Sequence, residues 1–84
     1  MKMSYEKVKQ AKKTIIGTKQ AVKAMNKQLV KEVYIALDVD KEIIELARLT
    51  AQQNNVLMHY VESKVELGKA CGLRISASVV AITV

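Results

Sequence analysis

The 84 residues contain no proline, no tryptophan and no phenylalanine, one cysteine, one histidine and three glycines. Each shortage closes off a class of function. A lone cysteine makes no intramolecular disulfide and no cysteine-based zinc site, and Cys71, in the string GKACG, is expected to be a small buried apolar residue near a helix end. A lone histidine removes most acid–base and metal chemistry. His59 stands inside the apolar run VLMHYV, where a satisfied or edge-exposed strand side chain is expected, because a general base has to be accessible and oriented by a partner. Three tyrosines are the only aromatic residues, too few for the stacking platforms that hold single-stranded nucleic acids. No apolar run approaches the roughly 20 residues that span a bilayer. The N-terminal residues interleave charge with apolar side chains and include no cleavable apolar core, so the sequence reads as that of a soluble, cytoplasmic chain. Glycine occurs only at positions 17, 68 and 72 and no Pro/Gly/Ser-rich linker divides the chain, so one domain with a modest core is expected over residues 1–84.

Catalytic strings are also missing. Gly68-Lys69-Ala70 lacks the upstream glycine and the hydroxyl after lysine that a phosphate loop requires. Asp38 and Asp40 stand two apart, but helix capping accounts for at least one of them and no histidine or third ligand accompanies them. Neither an enzyme nor a metal or cofactor is expected.

What the sequence has is unevenly placed charge. Residues 1–31 hold nine lysines and one glutamate, a local charge of +8, whereas residues 32–84 hold five basic and seven acidic side chains, or −2. A one-sided basic field suits a polyanion, either nucleic acid or an anionic membrane, although a lysine-rich run can also simply face water.

Periodicity places that charge on structure. Ser4 can cap a first helix whose inward side carries Tyr5, Val8 and Ala11. Residues 14–16 form a short strand, and Gly17-Thr18 open a second helix to about Asn26, with Val22, Met25 and Leu29 toward the core. Lys19, Lys23 and Lys27 recur every fourth residue, which predicts an outward basic stripe beginning at a helix N-terminus, where free N–H groups already favour anions. VYIAL at 33–37 is apolar throughout, the pattern of a central strand covered on both faces. Asp38 or Asp40 caps a third helix over residues 41–54, whose buried side carries Ile43, Ile44, Ala47 and Ala51. Strands at 56–61 and 78–84 flank a short helix capped by Ser63 and ended near Gly72. The alternation predicts an α/β protein, a three-layer α/β/α sandwich around a four-stranded mixed sheet.

The most informative string is GTKQAVK, residues 17–23. Glycine permits close backbone approach, helix-start amides donate, and Lys19 and Lys23 carry charge. Lysine can also donate to guanine O6 and N7, and Gln20 can match a paired donor and acceptor, so the string suits base edges as well as phosphates. Together with the shortage of aromatics, this favours a structured RNA.

GTKQAVKA (17–24), the strand ending in LDVD (37–40), VESKVELGKACGL (61–73) and ISASVVAI (75–82) resemble the ribosomal protein L7Ae family, closest to its small bacterial members and over nearly the whole chain. The resemblance implies a ribonucleoprotein component that docks on kink-turns, sharp RNA bends with tandem sheared G·A pairs, and stabilises the bent form. It implies guanine contacts from the helix start: Gly17, Thr18 and Lys23 match the family motif, while Lys19 and Gln20 replace its usual Asn and Glu. It also implies a second contact, in which the loop Leu73-Arg74-Ile75 packs on a bulged nucleotide, bordered by Lys64 and by a wall of Asp40 and Ile44. Leu73 and Ile75 can equally be read as core.

The resulting expectation is an RNA-binding protein for kink-turns in ribosomal or riboswitch-type RNA, monomeric when free, with the ribosome as a possible partner and no membrane. The alternative is a ribosome-associated protein-interaction module of the same fold that lacks specific RNA recognition, suggested by Lys19 and Gln20. Peripheral membrane binding through the first helix is the weaker rival, since that helix offers only Tyr5, Val8 and Ala11 as apolar surface.

Overall fold

The computed structural model describes residues 3–10 and 13–84. Among them the elements follow the order α1 (Met3–Gln10), β1 (Thr14–Ile16), α2 (Thr18–Asn26), β2 (Val30–Ala36), α3 (Lys41–Gln53), β3 (Leu57–Val61), α4 (Lys64–Ala70) and β4 (Val79–Thr83). The strands make one mixed sheet in the order β1-β4-β2-β3. β2 pairs with β3 in parallel, and β4 runs antiparallel to both β1 and β2.

Successive strand residues point to opposite faces, and this alternation divides the core in two. Val33, Ile35, Val79 and Ala81 pack with Ala21, Ala24 and Met25 of α2 and Ala47 and Ala51 of α3. Tyr34, Ala36, Val80 and Ile82 pack with Tyr5 and Val8 of α1 and Leu67 and Ala70 of α4. Residues 33–36 are apolar at every position because helices cover both sides of β2, which lies centrally between β4 and β3. The expected three layers are present.

Helix ends show where the sequence reading was too coarse. α1 begins at Met3, which puts Ser4 inside the first turn rather than at the cap, and Ala11 lies outside the described residues. α2 stops at Asn26, with Lys27 as its C-cap and Gln28 in the left-handed conformation at φ 63°. Gln28 N–H donates to Met25 and Leu29 N–H to Ala24, the paired bonds of a Schellman turn. That turn carries Leu29 away from the core, where it is 46% exposed, contrary to the inward position expected for it. α3 ends in the same way through Asn55 at φ 55°, with Val56 N–H donating to Ala51.

Capping of α3 also differs from the expectation in part. Asp40 occupies the N-cap position, but its side chain makes no capping bond. Asp38 instead accepts the backbone N–H of Lys64 at 2.9 Å, and so satisfies the start of α4. Ser63 caps α4 as expected, its hydroxyl accepting from Glu66 N–H at 3.1 Å. His59 lies on β3, an edge strand. It is stacked on Tyr34 with ring centroids 4.6 Å apart and lies 2.8 Å from Glu32 Oε1, the satisfied strand role expected of it.

Candidate nucleic-acid interface

Strand direction decides which of the singled-out residues meet. β1, β2 and β3 all point the same way, because β1 and β2 each run antiparallel to β4 and β3 runs parallel to β2. Their C-terminal ends therefore share one end of the sheet, where α2, α3 and α4 begin and β4 starts. Backbone bonds tie these pieces together. Gly17 N–H donates to Val79 at 3.0 Å, Ala36 N–H to Ser78 at 2.9 Å and Leu37 N–H to Val61 at 2.8 Å. Ala77 N–H donates to Lys64 at 2.9 Å, which closes the circuit from the loop before β4 to the start of α4. All the candidate residues, Gly17 to Lys23, Asp40, Ile44, Lys64 and Leu73 to Ile75, lie on the elements and connections of this end.

The start of α2 has the chemistry of an anion acceptor: free backbone donors and no acid. Gly17 adopts φ 112° and ψ 147°, a conformation L side chains avoid, and no side chain caps the helix behind it. The first-turn N–H groups of an uncapped helix point along its axis with the positive end of the dipole. α2 has no acidic residue in its first turn, and Lys19, Gln20 and Lys23 are exposed along it. The Gln20 amide folds back over Gly17, so a Cβ at position 17 would meet Gln20 Oε1. Lys27, by contrast, sits at the far end of the helix.

The second part of the site is the segment after α4. Gly72, at φ 79°, is the left-handed residue of a third Schellman turn, in which Gly72 N–H donates to Lys69 and Leu73 N–H to Gly68, both at 2.9 Å. Gly68 has a different task. Its missing side chain lets the Ile75 carbonyl and Ser76 lie directly on the helix, since a Cβ there would collide with backbone. A glycine inside a helical pattern is a signal of such close approach, and ELGKACG carries it. Pinned in this way, the loop presents Arg74 and an Ile75 that is 71% exposed, while Leu73 is half-buried. Ile75 is therefore not part of the core.

Electrostatics differ between the three helix starts. α3 brings Asp40 to its N-cap and Glu42 to its first turn, and Ile44 is half-buried against the core. Lys64 is half-buried, and Asp38 occupies the backbone N–H at the start of α4. Basic charge thus lies on the α2 and loop side, while Asp40, Lys41 and Glu42 leave the start of α3 with a net charge of −1. Cys71 caps the C-terminal end of α4, and burial raises its thiol pKa, as suits a structural cysteine. Among the described residues, no group of three His, Cys, Asp or Glu side chains is placed to hold a metal ion. Nor is any helix among the described residues long and apolar enough to cross a membrane.

The profile of the ribosomal protein L7Ae/L30e/S12e/Gadd45 family matches residues 1–84. The chain belongs to this family. A Bacillus pumilus relative described as an RNA-binding protein is 46% identical over 80 residues, which is 95% of this chain and 98% of that one. RNA-binding protein YbxF of Geobacillus stearothermophilus has the same identity and coverage. Among solved structures, the 15.5kD RNA binding protein of Giardia lamblia superposes with a TM-score of 0.82 at 27% identity, covering 96% of this chain and 71% of that one. Within the L7Ae-type fold, the resemblance read from GTKQAVKA and ELGKACG is thus matched by family and by architecture. The anchoring of α4 by Asp38 and the bond from Gly17 to Val79 went unforeseen, because both join residues far apart in sequence.

Proposed function

We propose that this family member is a non-enzymatic RNA-binding protein that recognises kink-turns in structured RNA and holds them bent, residues 1–84 acting as one unit. The observation that supports the reading most is the meeting, at one sheet end, of an uncapped, lysine-flanked helix start and a pinned loop with an exposed apolar tip. A regular duplex needs only the first of these, whereas a bend that opens a groove and expels a nucleotide can engage both. Lys19, Gln20 and Lys23 are assigned to guanine edges and nearby phosphates, with Gly17 and Thr18 supplying close backbone approach. Leu73, Arg74 and Ile75 take the unpaired nucleotide, Lys64 borders it, and Asp40 and Ile44 form the facing wall. The acids of α3 disfavour phosphates on that side and so help to orient the RNA.

Bending follows from differential affinity. A straight duplex cannot reach both the helix start and the loop, so the protein shifts the equilibrium by the contacts that only the bent form makes. The free protein is assigned as a cytoplasmic monomer, with ribosomal or riboswitch-type RNA as target. The test is a titration of end-labelled kink-turn RNA followed by energy transfer between its ends, beside an RNA whose G·A pairs are replaced by Watson–Crick pairs. Bending and tighter binding of the first RNA are expected. Equal affinity for both at the same salt would reduce the interaction to charge alone.

A further inference from the structure

The basic charge of residues 1–31 is not gathered at the site just described. β1 and β2 start at the opposite end of the sheet, where β4 finishes. There Thr83 N–H donates to Lys13 at 3.4 Å, Thr83 pairs with Val30, and Val84 N–H donates to Leu29 at 2.9 Å. These bonds set Lys13 and Lys31 beside the end of β4, with Lys27 at the C-cap of α2, two residues before Leu29. All three are exposed, and none forms an ion pair among the described residues. Lys31 is the extra residue where the β2–β4 register shifts between Val30 and Glu32, and such a bulge re-aims its side chain out of the ladder.

The other groups named at this end are paired or uncharged. Glu32 is turned inward, its side chain 12% exposed and held by Lys7 at 3.2 Å and His59 at 2.8 Å. The carbonyls ending α2 and α3 would repel a phosphate, but the Schellman turns at Gln28 and Asn55 engage them. Around those turns lies an uncharged amide rim, in which Gln28 bonds to Asn54 and Asn54 to Asn26. On the other face of the sheet, toward α1, a cavity of about 300 Å³ is lined by Lys7, Gln10, Lys31, Glu32 and Ile82. From Lys19 to Lys27 the α2 axis spans roughly 12 Å, beyond the screening length of about 8 Å at physiological salt, so the two ends act as separate fields.

We infer that this far end is a second, sequence-tolerant RNA-binding surface that takes the phosphate backbone of another duplex segment, so that one molecule holds two RNA segments together. Lysine ammonium groups beside amides match phosphates and 2′-hydroxyls. An anionic bilayer would need broad apolar surface beside the lysines, whereas Leu29, Leu57 and Val84 are single exposed side chains at the ends of three different strands. The inference rests on the RNA-binding reading for the identity of the polyanion, and not on kink-turn specificity.

The test mixes the full chain with a donor-labelled kink-turn RNA and an acceptor-labelled plain duplex, and compares the wild type with the K13Q/K27Q/K31Q variant. The wild type should bring the two labels together in particles containing one protein, as sized by sedimentation. The triple variant should lose that energy transfer and flatten the salt slope for the plain duplex by roughly 2 to 3 units. It should keep its thermal midpoint and its kink-turn affinity within about threefold, because Lys13 and Lys31 lie at the opposite sheet end and only Lys27, one turn or roughly 6 Å from Lys23, is within a screening length of that site. Undiminished bridging by the triple variant, or bridging only in particles with two proteins, overturns the inference. So does loss of binding to phosphatidylglycerol vesicles while plain-duplex binding is kept. If G·A replacement leaves affinity unchanged yet the triple variant still loses bridging, the kink-turn reading fails and this one stands.

Discussion

Single residues at the candidate site are set by quite different constraints, and substitution should separate them. Gly17 is required by its backbone: at φ 112° an alanine is strained by about 1 to 3 kcal/mol, while the Gln20 amide over it can swing aside. G17A should therefore lower stability by that amount in urea denaturation. Lys23 carries no such structural load, being exposed on α2. K23A should leave the thermal midpoint unchanged and weaken kink-turn binding by about 1 to 3 kcal/mol. K69A, at an exposed lysine beside Glu66 on α4, should do little to binding, and equal small losses in both variants would remove Lys23 from the site. Away from the site, Glu32 couples stability to pH. Burial raises its pKa, but bonds from His59 and Lys7 outweigh this and hold the carboxyl below the usual range. A depressed folded pKa stabilises the protein above the unfolded value of about 4.3, and this stabilisation is lost as pH falls through the folded value. Thermal midpoints measured from pH 7 downward should fall in that acid window, and E32Q should show a shallower fall.

Among the elements, α4 and the loop after it make the most exacting demands, because two glycines there do unlike work. At Gly72 a Cβ meets nothing, so the cost of G72A is conformational, about 1 kcal/mol, and asparagine, which tolerates the left-handed region, should recover part of it. At Gly68 the obstacle is the Ile75 backbone, so neither alanine nor asparagine is tolerated without moving the loop. The expected pattern is that G68A weakens RNA binding along with stability, whereas G72N largely keeps both. Ile75 tests the loop tip directly. Because it is 71% exposed, I75D should shift stability by less than about 0.5 kcal/mol. If the side chain is buried against a nucleotide, the same change should weaken binding by at least about 1.5 kcal/mol. A large drop in thermal midpoint would show instead that Ile75 supports the fold. The element types could be read from the sequence because periodicity and capping residues are local. Their ends were less legible: Leu29 fits the inward stripe of α2 by spacing, yet a left-handed Gln28 turns it out.

For the whole molecule, the consequential fact is that one sheet end collects three helix starts while the basic residues are split between both ends. If the far end serves as assigned, binding of plain duplex should depend more steeply on salt than the lysines of α2 alone account for. The sequence by itself determined the layers, since an apolar run such as 33–36 can only be covered on both faces, and it determined the family through motifs that span most of the chain. It also placed GTKQAVK on a helix start and marked Gly72 as a helix end, because each is a local matter of backbone conformation and hydrogen bonding. Only the tertiary structure decided that Asp38 serves α4 rather than α3, that Ile75 is surface rather than core, and that Lys27 and Lys31 lie away from Lys19. Those outcomes depend on strand order and direction. β4, last in the chain, inserts between β1 and β2 and brings residues more than 50 positions apart into one hydrogen-bonded ladder. Such pairing is set by the summed packing of both sheet faces, which no short stretch of sequence contains.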